Sequence, residues 1–174
     1  MLFRSLREAT ALRASGATVV VVAAHAGGFC ERFDNPLDLT SCDDTAEIFD
    51  MVRELPHGLV DAVVAGHTHA GLAHVVNGVP IVQSYWGGRA FGRIDLQVDA
   101  AGRVVSATPF APQDICAQLD AASGACAASA SAPHVVARYE GRDVHTDGRV
   151  LEAMEPALAR VRALQAMQIG RAHV

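Results

Sequence analysis

Two apolar runs that each stop on histidine constrain the fold of this 174-residue chain more than any other feature. Residues 18–24 read Thr-Val-Val-Val-Val-Ala-Ala and end at His25. Residues 60–65 are also mostly apolar and end at Gly66-His67-Thr68-His69. Short β-branched runs without polar alternation predict strands buried on both faces of a parallel sheet. Between them Ile48, Met51, Val52 and Leu55 form a helical stripe, closed by Pro56 and Gly58. Ser41 and Asp44 are its expected start by the logic of the capping box. Residues 2–14 predict an earlier helix, with Leu2, Leu6 and Ala9 on one face and Gly16 as its stop.

After the second histidine cluster the pattern changes. Residues 73–76 and 79–84 flank Asn77-Gly78, which predicts a tight hairpin. Residues 91–98 and 103–108 predict a second hairpin around Ala101-Gly102, with Ile94, Leu96 and Val98 alternating. The class is therefore α/β, or more loosely α+β, with a sheet that finishes in hairpins. Residues 1–108 form the expected domain. Residues 109–148 read as linker and loop, rich in Pro, Ala and Ser at their start. Residues 149–167 predict a last helix, striped by Leu151, Met154, Leu158, Val161 and Leu164 and kinked at Pro156.

In parallel α/β sheets, ligands gather at the carboxyl ends of strands. His25 ends one strand, and His67 and His69 end the other. Glycines beside them permit tight turns and close backbone approach. Neutral imidazole is a common ligand for zinc and related divalent ions. Residues two apart on an extended backbone point the same way, about 6.6 Å from each other. The H-x-H pair can therefore converge on one ion, or serve two ions about 3.5–4 Å apart. His57, His134 and His145 read as solvated loop residues, and His74 as a hairpin-strand residue. Tyr85 and Trp86 read as packing residues or as the mouth of a pocket, and Arg89 as a surface arginine.

The bulk properties narrow the partners. Half the chain is apolar and its formal net charge is −5. A general binder of nucleic acid or anionic membrane would show a basic balance. No apolar run approaches the ~18 residues of a membrane span. The four cysteines fall in two local couples, Cys30 with Cys42 and Cys116 with Cys126. Four cysteines allow three connectivities, and spacing does not choose among them. Local pairing is the simplest, and the polar sequence around both couples favours disulfides in an oxidising compartment.

The block Val-Val-Ala-Ala-His25-Ala-Gly resembles the strand–His–x–Gly block of the calcineurin-like metallophosphoesterases. Ala-Gly66-His67-Thr-His69 resembles their G-H-[ST]-H block. The stretches Asn77-Gly-Val-Pro-Ile-Val-Gln-Ser and Gly87-Gly-Arg-Ala-Phe-Gly92-Arg-Ile-Asp-Leu are similar to the secreted 5'-nucleotidase and UDP-sugar hydrolase branch. The resemblance covers residues 1–108, and Tyr139-Glu-Gly-Arg-Asp-Val with the helix after it resembles the segment joining the two domains of those enzymes. It implies the carboxyl-terminal half of a four-layer β-sandwich flanked by helices, ending in hairpins and an interdomain helix. It implies two divalent ions (zinc, manganese, iron or similar), with His25 and His67 on the second and His69 on the first. Some nucleotidases carry Gln in place of His69. The paired ions imply in-line hydrolysis of a phosphoester substrate such as a nucleotide, and the branch implies a periplasmic or secreted protein of bacterial source.

The family's D-x-H, G-D and G-N-H-[DE] blocks do not occur before Thr18, and no nucleoside-binding second domain follows. The expectation is thus a fragment, inactive by itself, of a longer phosphoester hydrolase. Its last residues, 168–174, match the translation of a common sequencing adapter and read as read-through. Within the family, a cyclic-nucleotide phosphodiesterase, a sugar-nucleotide hydrolase and a thiosulfohydrolase are alternatives. An amidohydrolase would continue with strand–helix repeats, and a metallo-β-lactamase-like enzyme would continue H-x-H-x-D-H. Neither pattern follows His69. Outside enzymes, the alternative is a non-catalytic metal-binding or structural piece.

Overall fold

The structure, a computed structural model, describes residues 2–127 and 133–166. The read-through segment 168–174 lies outside the described residues. The chain divides after Ile115 into two compact units.

The first unit opens with helix α1 (Leu2–Ala14), strand β1 (Val21–Ala23), helix α2 (Glu47–Arg53) and strand β2 (Ala62–Val64). Strands β3 (Gly71–Val76) and β4 (Val79–Ser84) follow, then β5 (Ala90–Val98) and β6 (Val104–Asp114). One sheet has the order β1-β2-β4-β3, with β1, β2 and β4 parallel and β3 antiparallel to β4. The turn between β3 and β4 is the Asn77-Gly78 dipeptide. Both residues have positive φ, 51° and 76°, as the right-handed twist of a two-residue hairpin requires. The Asn77 side chain then donates to the carbonyls of Val52 and Leu55, tying the turn to the end of α2. The β5–β6 hairpin packs against β3 and β4. Its second strand continues to Asp114, into the stretch expected as linker.

The core gathers where α2 meets the sheet: Ile48, Phe49 and Val52 against Val63, Leu72 and Ile81. Each such apolar side chain contributes about 1.5–3 kcal/mol when fully buried. Arg13 at the end of α1 donates to Asp61 at 2.6 Å, and the same carboxylate accepts the Val20 N–H at 2.6 Å. One ion pair thus ties α1 to the starts of both parallel strands.

Two expectations are corrected. The strands are not buried on both faces: Val20 and Val63 point inward, whereas Val21 is 53% and Val64 47% exposed. Alternation along a strand sends neighbouring side chains to opposite faces, and α2 covers only one of them. Helix α2 starts at Glu47 with Ala46 as its cap, and no side chain caps it. Ser41 is engaged in the preceding loop, where it accepts from the Arg32 N–H, and the Asp44 carboxylate lies 3.9 Å from the Arg53 guanidinium.

In the second unit β7 (Gln118–Asp120) pairs with β8 (His134–Val136), and β9 (Arg138–Tyr139) with β10 (Arg142–Asp143). Helix α3 (Gly148–Ala166) contains Pro156, and its stripe residues Leu151, Met154, Val161 and Leu164 are exposed. The four cysteines form two disulfides, Cys30–Cys42 in the first unit and Cys116–Cys126 in the second.

Candidate metal centre

Strands β1 and β2 are hydrogen-bonded neighbours, so the loops leaving their carboxyl ends emerge side by side. His25 follows β1 and His67 follows β2. Nε2 of His25 and Nδ1 of His67 lie 3.1 Å apart, with ring centroids at 4.8 Å. Both rings are exposed. In the neutral tautomers one nitrogen donates to the other.

The same spacing suits an ion. Zinc–imidazole bonds of about 2.0–2.1 Å at ordinary coordination angles place two ligand nitrogens about 2.9–3.4 Å apart. The donor set of His25 and His67 therefore fits a divalent cation that replaces the shared proton. His69 is placed differently. Its ring stacks on Trp86, with centroids 6.0 Å apart and planes 22° from parallel. Among the described residues, the three histidines do not bring three donors within 4.8 Å of one another.

The backbone here is unusual. His67, His69 and Tyr85 have φ of 83°, 55° and 58°. Each such non-glycine residue costs about 1–3 kcal/mol and persists only where its surroundings impose it. The surroundings do impose it. Gln83, 3% exposed, donates to Thr68 Oγ1 at 2.7 Å and to the Ala70 carbonyl at 2.8 Å. Thr68 in turn donates to the Gly28 carbonyl at 2.7 Å. Tyr85 N–H donates to the Ala70 carbonyl. These bonds brace the loop carrying His67 and His69 against the loop after His25. The two loops also meet directly, through Gly66 N–H and the Ala26 carbonyl at 3.1 Å. Gly27 makes the approach possible, since a Cβ there would lie 2.3 Å from the Gly66 carbonyl oxygen.

Sequence reasoning did not single out Gln83 as the brace. The available signal was a lone amide in the apolar run Val79-Pro-Ile-Val-Gln83. It also left Trp86 open between packing and a pocket mouth, and read Arg89 as a surface arginine. Trp86 is 52% exposed, and the Arg89 guanidinium sits 4.8 Å from the Tyr85 ring centre and 5.1 Å from that of Trp86. These cation–π contacts hold a permanent positive charge beside the His69 stack.

His74 stands apart from this group. It lies on β3, fully buried beneath the Cys30–Cys42 loop, with the Phe33 ring 6.0 Å away. Burial pushes its pKa below the ordinary value, against the opposing pull of the Asp38 and Asp34 carboxylates and nearby carbonyls of Arg32 and Asp38. Neither carbonyl completes a hydrogen bond to Nε2, which has no partner among the described residues.

No protein-family model matches the chain, and no curated protein matches it in sequence. In structure it is similar to a 5'-nucleotidase precursor from Thermus thermophilus, with a TM-score of 0.55 and 18% sequence identity. The match covers 98% of this chain and 29% of that one. The likeness is one of fold: the chain has a mixed α/β architecture shared with part of a 5'-nucleotidase.

Proposed function

We propose that this chain is part of a dinuclear-metal phosphoester hydrolase of the 5'-nucleotidase kind, acting on nucleotides or sugar nucleotides. His25, His67 and His69 are three of its metal ligands in this reading. The observation that carries it is the 3.1 Å approach of His25 and His67 at the ends of adjacent parallel strands. The fold shared with a 5'-nucleotidase precursor supports it.

Two divalent ions such as zinc, manganese or iron would neutralise phosphate charge and lower the pKa of water at such a centre. The chain's own side chains bind and orient. His25 and His67 present neutral nitrogens to one ion, and His69 presents its ring to the other. Gln83 and Thr68 keep the His67–His69 loop from relaxing out of its left-handed conformation. Arg89 offers a fixed positive charge to an anionic group lying over Trp86. The remaining ligands belong to a longer enzyme, in keeping with the 29% of the similar structure that the match covers. The two disulfides support a periplasmic or secreted location.

The test is an assay of the complete gene product with added divalent ions, beside its His67→Ala variant. The substrates are nucleoside monophosphates, sugar nucleotides, cyclic nucleotides and protein-bound thiosulfonates. Metal-dependent hydrolysis of the first two, lost in the variant, is expected. Preference for cyclic nucleotides or thiosulfonates would move the assignment within the fold family. Absence of any turnover would overturn it in favour of a non-catalytic metal-binding or structural role. The 174-residue chain alone is expected to hydrolyse none of them.

A further inference from the structure

The strongest unexplained cluster lies on the far side of the 30–42 loop from the solvent. A His74 ring nitrogen and the sulfurs of Cys30 and Cys42 all lie within 4.8 Å of one another. Among the described residues this is the group of three such donors packed so closely. His74 is 0% exposed and Cys30 2% exposed. A fully buried imidazole nitrogen without a partner costs free energy, and each such group calls for an explanation. Here Nε2 is that group.

We infer that Cys30, Cys42 and His74 form a redox-gated site for a thiolate-preferring divalent cation, closed while the cysteines are bonded and open once they are reduced. A cellular dithiol opens it. The dithiol is oxidised to its own disulfide, the Cys30–Cys42 bond breaks, and each sulfur takes one hydrogen. The cation then displaces both thiol protons to solvent, and the two thiolates and the imidazole lone pair become its ligands. Two thiolates balance the charge of a divalent ion, and sulfur with imidazole is the donor set that selects zinc over magnesium or calcium. Three protein donors leave a fourth position to water. The anchoring is already in place. Cys30 N–H donates to the Gly71 carbonyl and Val75 N–H to the Pro36 carbonyl, so the loop stays docked on β3 when the disulfide is gone. In an oxidising compartment the pair remains a disulfide. In the periplasmic or secreted setting proposed above it therefore rests closed and opens only when a dithiol reductant reaches it, and it is separate from the His25–His67 pair.

The experiment uses the full chain with Cys116→Ser and Cys126→Ser, so that Cys30 and Cys42 are its only sulfur pair. It is titrated with cobalt(II) before and after reduction by a phosphine, which is removed anaerobically before the ion is added. The expected result is thiolate-to-cobalt charge-transfer absorption, saturating at one ion per chain, after reduction only. His74→Ala should weaken cobalt binding by at least about tenfold, the least that loss of even an outer-shell partner costs. Charge-transfer absorption in the oxidised protein, none in the reduced protein, or an unchanged affinity in folded His74→Ala would each overturn the proposal. Should that variant not fold, X-ray absorption of the reduced zinc-loaded chain decides. Two sulfurs with imidazole support the site, and a shell lacking either sinks it. Histidines elsewhere bind cobalt without the thiolate band, so failure of the phosphoesterase reading leaves this result intact.

Discussion

His25 and His67, 42 residues apart in sequence, face each other with nitrogens 3.1 Å apart. Nothing but a hydrogen-bonded proton or a shared cation suits two neutral imidazole nitrogens at that distance. Zinc is therefore expected to raise the melting temperature of the oxidised chain. At a hundredfold excess over its dissociation constant the gain is about 2.7 kcal/mol. Differential scanning calorimetry with and without chelator measures it. An equal zinc shift in a His25→Ala/His67→Ala variant would show that the pair is not the site.

The two glycines beside these histidines should respond differently to alanine. At Gly27 a Cβ would meet the Gly66 carbonyl at 2.3 Å, Thr68 Oγ1 at 2.5 Å and Gln83 Oε1 at 2.8 Å. At Gly66 the nearest atom would be the Ala24 carbonyl oxygen at 3.8 Å, an ordinary contact. Gly27→Ala should lose about 1–3 kcal/mol, the usual cost of overpacking, and Gly66→Ala much less. Urea unfolding of the two variants makes the comparison, and equal losses would contradict the close approach of the loops.

Replacing Gln83 should loosen the loop without touching a ligand. Gln83→Leu removes the two hydrogen bonds to Ala70 and Thr68, each contributing about 0.5–1.5 kcal/mol net. Gln83→Glu should be no better, because a carboxylate cannot donate to the Ala70 carbonyl. Hydrogen exchange at Thr68 and Tyr85 is expected to accelerate in both. Protection equal to the parent chain would remove Gln83 from its bracing role.

His74 makes stability fall in mild acid. Its folded pKa is depressed by burial below the ordinary 6.5, so between the two values the unfolded chain binds more protons than the folded one. Stability then rises with pH through that window and levels off above about 6.5. Asp38 and Asp34, which face the ring, reduce the depression without reversing it. Melting temperatures of the oxidised, chelator-treated protein should drop as pH falls below 6.5, and less steeply in a His74→Phe variant. A parallel pH profile in that variant would rule out the ring as the cause.

The elements themselves were legible. Helix 2–14, the strands that end before His25 and His67, and the hairpin at Asn77-Gly78 all follow from short-range rules: apolar period, β-branching, and the positive φ that Asn and Gly accept most readily. The class, mixed α/β with hairpins, followed from their order. Pairing was another matter. Sequence placed His25 and His67 at strand ends, but only hydrogen bonding of β1 to β2 sets their nitrogens at contact, because register is a property of two strands and not of either. The same holds for burial. Val21 and Val64 read as core and lie exposed, since a strand's second face is buried only by what packs on it. His74 read as an ordinary strand residue, yet the loop folding over β3 encloses it against a disulfide. Local sequence determined which segments are strands and helices and which residues end them. Long-range contact alone decided which imidazoles meet and which one loses water, because both depend on neighbours far away along the chain.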